Sequence, residues 1–384
     1  MGKTLTLIHT ADVHLDSAFA QARLSSDLGH ALRHATREAF KRVLDLVKSE
    51  DADALLIAGD LYDHEYVTPD TGAFLVDALA ALGDTPVVIA PGNHDPYVAD
   101  SLYARLDWPA NVHLFRSLTP AVFTFAKRGL AVHGLAHDSF NCETRPLVQF
   151  TSPPDDGLVH VVTAHGSDLS RVPEGKEAYG PFEPAELAAA PGMRYWALGH
   201  YHTHGPVAAG DGVTAHYAGC IQGRHFGETG PRHALVVSIG PKRTAVRPVA
   251  VNGLTFETTE VDVGEITHSD ALITHIRGVC DAPAWSDAIV RLTLTGEAAP
   301  TLEIDPAQLR EQVANVFHHV TFIDRTHPAL DTDALATEQT ARGEFVRRLM
   351  KRVERAETDA DRDRVWLALR VGLAAYDGRQ VPVE

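Results

Sequence analysis

From residue 4 to about 250 the chain alternates short, continuously apolar runs with longer stretches whose apolar positions recur at helical spacing. TLTLIHTAD reads as a buried strand running into a loop. LGHALRHATREAFKRVLDLVKSE then places Leu32, Phe40, Val43, Leu44 and Val47 on one face of an otherwise charged helix. The pattern repeats: ALLIAGD is a strand ending in an acid, TGAFLVDALAAL a helix, and PVVIAPGNHD a strand ending in polar residues. Strands separated by helices imply βαβ crossovers. The later runs VHVVTAHG, MRYWALGHYH, HALVVSIG and TAVRPVAV have fewer helices between them, which predicts a mixed sheet or a two-sheet sandwich with helices outside.

Near residue 250 the texture changes. FETTEVDV and AIVRLTLTG alternate as strands, DPAQLREQVANVF reads as a helix and HHVTFID as a strand, together a small α+β unit. From about 333 to 376 the pattern is helical only, in two segments divided near Thr358. The expected organisation is a catalytic body over residues 1–255, a small α+β cap over 256–330 and a helical tail over 331–384, with no internal repeat.

Composition narrows the class. Of 384 residues, 45% are hydrophobic and 22% charged, ordinary globular values that exclude disordered and fibrous chains. Three cysteines without a CxxC pair argue against a disulfide scaffold or a zinc finger, and a reducing cytoplasm is the expected compartment. The first residues turn polar too soon for a secretory segment, and no apolar run approaches the ~20 residues that span a bilayer, so no membrane role is expected. Charge creates a tension. Thirty-four Lys and Arg against 51 Asp and Glu give a formal net charge of -17, whereas proteins that grip nucleic acid through phosphates are usually basic. Twenty-two histidines in an acidic chain point instead to metal.

Five polar clusters follow apolar runs, at the carboxyl ends of expected strands where open α/β sheets place their sites. They are Asp12-Val13-His14, Gly59-Asp60, Gly92-Asn93-His94-Asp95, Ala164-His165-Gly166 and Gly199-His200-Tyr201-His202. Any one of them is as readily a cap or a loop. Five in one chain supply seven ligands mixing carboxylate, imidazole and amide oxygen, a set of borderline hardness suited to Mn²⁺, Fe²⁺ or Zn²⁺ more than to Mg²⁺ alone. Seven exceed what one catalytic ion accepts, and a shared carboxylate holds two cations about 3.5–4 Å apart. Phosphoester hydrolysis is the reaction such a pair suits.

DxH, GD, GNHD, a lone His and GHxH, in that order over residues 4 to 240, resemble the calcineurin-like metallophosphoesterases. The resemblance implies an α/β fold with a two-sheet β-sandwich flanked by helices. LIHTADVHLDS, ALRHATREAF, GDLYD and the cap and tail are similar to the DNA repair exonucleases of the Mre11 and SbcD type, nearest the bacterial YhaO branch, with AGCIQGRHFGETGP as a further similar stretch. Carried over residue by residue, the resemblance implies that Asp12, His14 and His202 bind one metal, that Asn93, His165 and His200 bind the other, and that Asp60 bridges them. It gives His94 the task of stabilising the scissile phosphate and protonating the leaving oxygen, and Asp95 that of orienting His94 by accepting its other ring proton. Some nuclease relatives carry histidine three residues after the bridging Asp; Asp63 stands there, with His64 next.

Of the remaining histidines, His204 is expected at the rim, His9, His133 and His137 packed or hydrogen-bonded, and His225 either at the edge of the site or turning its loop. Arg33, Arg37 and Lys41 form a basic stripe on the first helix, read either as DNA contacts or as a solvated face paired with Glu38 and Asp45. In the tail, six cations between Arg342 and Arg355 stand against two acids, and Phe345, Val346, Leu349, Met350, Val353, Val365, Trp366, Leu369 and Leu373 make too much apolar surface for a free tail. Such a tail either packs on the body or binds a partner helix; the family resemblance implies that it docks on the coiled-coil base of an SMC-like ATPase and that the cap contacts DNA, and a homodimer is one assembly open to the chain. The expectation is a two-metal phosphodiesterase with Mn²⁺ as the first choice of ion, acting on DNA as an exo- or endonuclease subunit in repair and holding DNA weakly on its own. The alternatives are a phosphodiesterase or phosphatase for a nucleotide or other small ester, and a non-catalytic scaffold that recruits an ATPase.

Overall fold

The computed structural model describes residues 4–17, 26–210, 212–280, 283–376 and 378. By compactness the chain divides into two units, Met1–Thr259 with Arg277–Thr293 and Pro306–Ile323, and Glu260–Ile276 with Leu294–Asp305 and Asp324–Glu384.

Two six-stranded sheets build the body of the first unit. One contains β1 (Leu5–Thr10), β2 (Ala54–Ile57), β3 (Val87–Ile89), β4 (Val112–Leu114), β11 (His233–Ile239) and β12 (Thr244–Ala250), in the order β12-β11-β1-β2-β3-β4. The other contains β5 (Ala121–Phe125), β6 (Leu130–Gly134), β7 (Val159–His165), β8 (Met193–Gly199), β9 (Gly205–Pro206) and β10 (Ala215–Tyr217), in the order β5-β6-β7-β8-β10-β9. Strands β1 to β4 are parallel, as are β6 to β8. Helices α1 (Ser26–Ser49) and α2 (Pro69–Ala80) are the crossovers of the first sheet, and α3 (Leu102–Arg105) is a single turn.

Alternation along each strand decides the layers. Ile8, Leu55, Ile57, Val87 and Ile89 face α1 and α2, burying Phe40, Val43, Leu44, Val47, Leu75 and Leu79. Their neighbours Leu7, Leu56 and Val88 face the other way and meet Val132, Val161, Tyr195 and Ala197 of the second sheet. The outer face of that sheet is covered in turn, where Val162, Trp196 and Leu198 pack on Phe150, Phe182 and Leu187. Strands buried on both faces explain the continuous apolar runs. The expected architecture, two sheets flanked by helices, is the one observed.

A three-stranded sheet of β13 (Thr255–Asp262), β14 (Ala288–Thr295) and β16 (His319–Asp324), in the order β13-β14-β16, follows, with α4 (Ser269–Val279), α5 (Pro306–Gln312) and the short pair β15 (Glu297–Ala298) and β17 (His327–Pro328). Helix α5 stops at Gln312, short of the expected Phe317. The tail forms three helices rather than two, α6 (Thr332–Thr337), α7 (Ala341–Glu354) and α8 (Asp359–Tyr376). Val346, Leu349, Leu369 and Leu373 bury one another there, and residues 377 and 379–384 of the expected tail lie outside the described residues. A Cβ at Gly372 would fall 2.1 Å from the Phe345 ring, so α7 and α8 approach closely at a glycine. Among the described residues no helix is long and apolar enough to cross a membrane.

Candidate metal centre

Parallel pairing delivers the loops after β1, β2 and β3 to one edge of the first sheet, and the loops after β7 and β8 to one edge of the second. The polar clusters of the sequence occupy these loops. Asp12, His14, Asp60 and His200 all hold positive φ, at 50°, 50°, 52° and 117°, a region non-glycine residues rarely adopt and one that concentrates at functional sites. Glycines make the approach feasible. A Cβ at Gly199 would lie 1.8 Å from the Ala58 carbonyl oxygen, and one at Gly92 2.3 Å from Asp60 Oδ1.

The side chains converge. His14 Nε2 and His202 Nε2 are 3.3 Å apart, and His202 Nε2 is 3.8 Å from Asp12 Oδ1. Asp60 Oδ2 lies 3.7 Å from His14 Nε2 and 3.4 Å from His165 Nε2, between the two groups. His165 Nε2 is 3.0 Å from Asn93 Oδ1. The His200 ring stands 5.3 Å from that of His165, and its backbone N–H donates to both Asp12 oxygens at 3.1 Å. Asp12, His14 and His202 form one group of metal-ligating atoms and Asp12, Asp60 and His165 another.

Tautomers test whether these residues fit cations. His14 Nδ1 donates to Asp63 Oδ1 at 2.7 Å, His165 Nδ1 to the Ala58 carbonyl at 2.9 Å, and His202 Nδ1 to Glu228 Oε1 at 2.5 Å. Carboxylates and carbonyls only accept, so each Nδ1 carries the proton and each Nε2 presents a lone pair. The His14 and His202 lone pairs then face one another, and that of His165 faces the Asn93 oxygen. Such contacts are repulsive until a cation lies among them, so the residues fit divalent metals. Burial lowers His14 to about 4, with Arg224 adding to it, and lowers His165 to about 3 and His200 to about 4, which keeps these rings neutral and ready to ligate. Burial raises the Asp12 carboxyl. On Asp60 burial acts the same way but is outweighed by His165, His14 and His94, which hold it well below the usual range.

One expected role is corrected. Asp95 does not receive the ring proton of His94; Asp63 Oδ1 lies 3.2 Å from His94 Nδ1 and serves His14 as well. Asp95 is fully buried and accepts from the backbone N–H groups of Asp60 (3.0 Å), Leu61 (2.6 Å) and Gly92 (2.7 Å) and from the Tyr103 hydroxyl (2.6 Å). It ties the loop that carries Asp60 to the loop that carries Asn93. Burial and Asp60 push its carboxyl upward, and these donors oppose them. His94 itself is exposed. Burial would lower it, but Asp63 and Asp60 raise it to about 9.

Other expectations fall where their neighbours put them. His204 is exposed with its ring 4.6 Å from that of His233, and His9, His133 and His137 are hydrogen-bonded to Tyr195, His160 and the His165 carbonyl. His225 turns its loop, accepting from Gly227 N. The basic stripe is engaged: Arg37 pairs with Asp70 at 2.6 Å and Asp16 at 3.5 Å, Lys41 with Glu38 at 2.7 Å, and Arg33 lies 3.0 Å from His30 Nδ1. Sequence reasoning missed Glu228 and Arg224 beside His202, and Ser17, whose hydroxyl donates to Asp63. Glu228 lay inside the AGCIQGRHFGETGP stretch, but nothing local marked it as a partner of His202.

Residues 5–204 match the family described as calcineurin-like phosphoesterase, and the chain belongs to that family. It is therefore a metal-dependent phosphoester hydrolase of a family that uses a dimetal centre. Over 77% of its length the chain is 29% identical to "Uncharacterized metallophosphoesterase YhaO" of Bacillus subtilis, covering 72% of that protein. Over 56% it is 25% identical to "DNA double-strand break repair protein Mre11" of Methanopyrus kandleri, of which it covers 48%, about half. Among solved structures, a dimetal phosphatase from Danio rerio aligns with 65% of this chain and 98% of its own at 10% identity and a TM-score of 0.38.

Proposed function

We propose that this calcineurin-like phosphoesterase hydrolyses phosphodiester bonds in DNA, as an Mn²⁺-dependent nuclease subunit of a repair complex in the cytoplasm. The observation that carries the hydrolytic part is the set of Nε2 lone pairs of His14, His165 and His202, fixed by Asp63, Ala58 and Glu228 and turned toward Asp12, Asp60 and Asn93. In this reading Asp12, His14 and His202 hold one divalent ion, Asn93, His165 and His200 the other, and Asp60 lies between them. The mixed nitrogen and oxygen donors suit Mn²⁺, Fe²⁺ or Zn²⁺, and Mn²⁺ is the ion proposed here. When bound, the ions neutralise phosphoryl charge and make water a usable nucleophile at neutral pH.

The chain's own groups complete the site. His94 Nδ1 is held by Asp63, which leaves Nε2 to carry a proton to the departing sugar oxygen. The strained backbone at Asp12, His14, Asp60 and His200 presets the ligands so that little reorganisation accompanies binding. The similarity to a double-strand break repair protein supports DNA as substrate. The three buried free thiols suit a reducing compartment. An SMC-like coiled-coil ATPase is the proposed partner of the tail, where Leu367 and Tyr376 are 56% and 51% exposed; a homodimer is the proposed assembly.

A second reading, a phosphodiesterase for nucleotides or other small esters, is favoured by the pairing of Arg37 and Lys41 with acids, which leaves little free positive charge on α1 for a DNA backbone. Incubating the Mn²⁺-loaded chain with single- and double-stranded DNA and with bis-p-nitrophenyl phosphate separates the two. DNA degradation that disappears in His94→Ala is the expected result. Turnover of the small ester alone would replace the first reading by the second, and inertness toward every ester despite two bound ions would leave only a scaffold.

A further inference from the structure

Arg224 stands beside the candidate metal centre with its guanidinium only weakly engaged. Its side chain is mostly buried, and its charge acts on both Asp12 and His14. By distance its best partner is His202: Nη2 lies 2.9 Å from Nδ1 and 3.4 Å from Nε2. Chemistry removes both contacts. Nδ1 carries the proton it donates to Glu228, and the Nε2 lone pair points toward His14 and Asp12, so neither nitrogen can accept from a guanidinium.

What remains is weak. Ser17 Oγ is 3.4 Å from Nη1 and Glu228 Oε1 is 3.5 Å from Nη2, both at the outer limit of a hydrogen bond. Glu228 turns its shorter bonds elsewhere, Oε1 to His202 at 2.5 Å and Oε2 to the Arg224 backbone N–H at 2.8 Å, and offers the guanidinium only the 3.5 Å contact. Arg224 Nε is buried and has no partner among the described residues. The backbone N–H bond to Glu228 anchors the residue at the site, while its guanidinium is left without a committed acceptor. A guanidinium beside two divalent cations is electrostatically unfavourable until an anion lies between them. Its planar fork matches phosphoryl oxygens.

We propose that Arg224 is a substrate-binding residue whose Nη atoms grip the non-bridging oxygens of the phosphoryl group bound at the Asp12–His14–His202 side of the centre. The assignment rests on the phosphoester reading above and adds to it the residue that holds the substrate's charge. Glu228 positions both groups, His202 through its side chain and Arg224 through its backbone.

The test titrates the Mn²⁺-loaded full chain with inorganic phosphate by calorimetry, with metal content measured on the same samples. Arg224→Met, which keeps the stem and removes the charge, is expected to retain its metal and to bind phosphate about ten- to hundredfold more weakly. Arg224→Lys, which keeps the charge without the fork, is expected to fall between Met and wild type. Phosphate affinity within about twofold of wild type in both variants, with metal retained, overturns the assignment. So does loss of metal from both, which would make Arg224 a support for the ligands. Wild-type protein that binds phosphate through Arg224 yet cleaves no diester refutes the proposed function and leaves this assignment intact.

Discussion

Replacing Asp95 by Asn separates the two roles that this residue could have. The wild-type carboxylate accepts four hydrogen bonds, two on Oδ1 from Asp60 N and Gly92 N and two on Oδ2 from Leu61 N and Tyr103 Oη. An amide keeps Oδ1 and puts an NH₂ where Oδ2 was. The Tyr103 hydroxyl can turn and accept from it, but the Leu61 N–H cannot, and it is left buried against another donor. The loss of one charge-assisted bond with an unpaired buried donor costs about 2–4 kcal/mol. For a body of about 250 residues that is roughly 4–8 °C in melting temperature.

The assay is thermal unfolding of the metal-free chain in chelator, followed by circular dichroism. Tyr103→Phe removes one of the four donors and leaves Leu61 N–H paired, so its drop should be smaller, about 1 kcal/mol. If Asp95 instead acted by orienting His94, Asp95→Asn would leave melting unchanged and alter the titration of His94. An Asn variant that melts within about 1 °C of wild type refutes the bracing role.

Asp63→Asn should do the converse. The nitrogen resonances of His94 in the metal-free chain are expected to titrate near pH 9 in wild type and clearly lower in the variant, and an unmoved midpoint would remove Asp63 from its role. Linkage gives the same test a second readout. A folded-state value raised from 6.5 to about 9 adds stability that is complete below pH 6.5 and lost as pH rises through 9, so Asp63→Asn should lose less stability across that window. Gly199→Ala places a Cβ 1.8 Å from the Ala58 carbonyl oxygen, which should cost about 3 kcal/mol or more; soluble protein with wild-type melting would contradict it. Glu228→Gln weakens the group that fixes His202, and Mn²⁺ affinity measured against a competing chelator should fall about tenfold; unchanged affinity would show that His202 needs no such support.

The ligands were legible because each lies at the end of its own apolar run, where a local pattern and a local motif coincide. Asp12, Asp60, Asn93 and His200 follow β1, β2, β3 and β8 within four residues and His165 is the last residue of β7, so finding the strands was enough to find them. The support around them is not local, and there adjacency misled. Asp95 is next to His94 in the chain, yet it turns inward to the loop of Asp60, while Asp63, 31 positions earlier, holds the His94 ring. Glu228 reaches His202 across 26 residues. The same limit governs charge. The spacing of Arg33, Arg37 and Lys41 placed three cations on one helix, but the acid closest to Arg37 comes from Asp70, at the start of the next helix. Strand β5 is hard to read because it is an edge strand with no buried position, so its burial leaves little periodicity to detect. Local sequence thus specified which atoms can ligate, whereas the tautomers that make them ligands, and the weakly held guanidinium of Arg224 beside them, are set by partners that only the folded chain brings together.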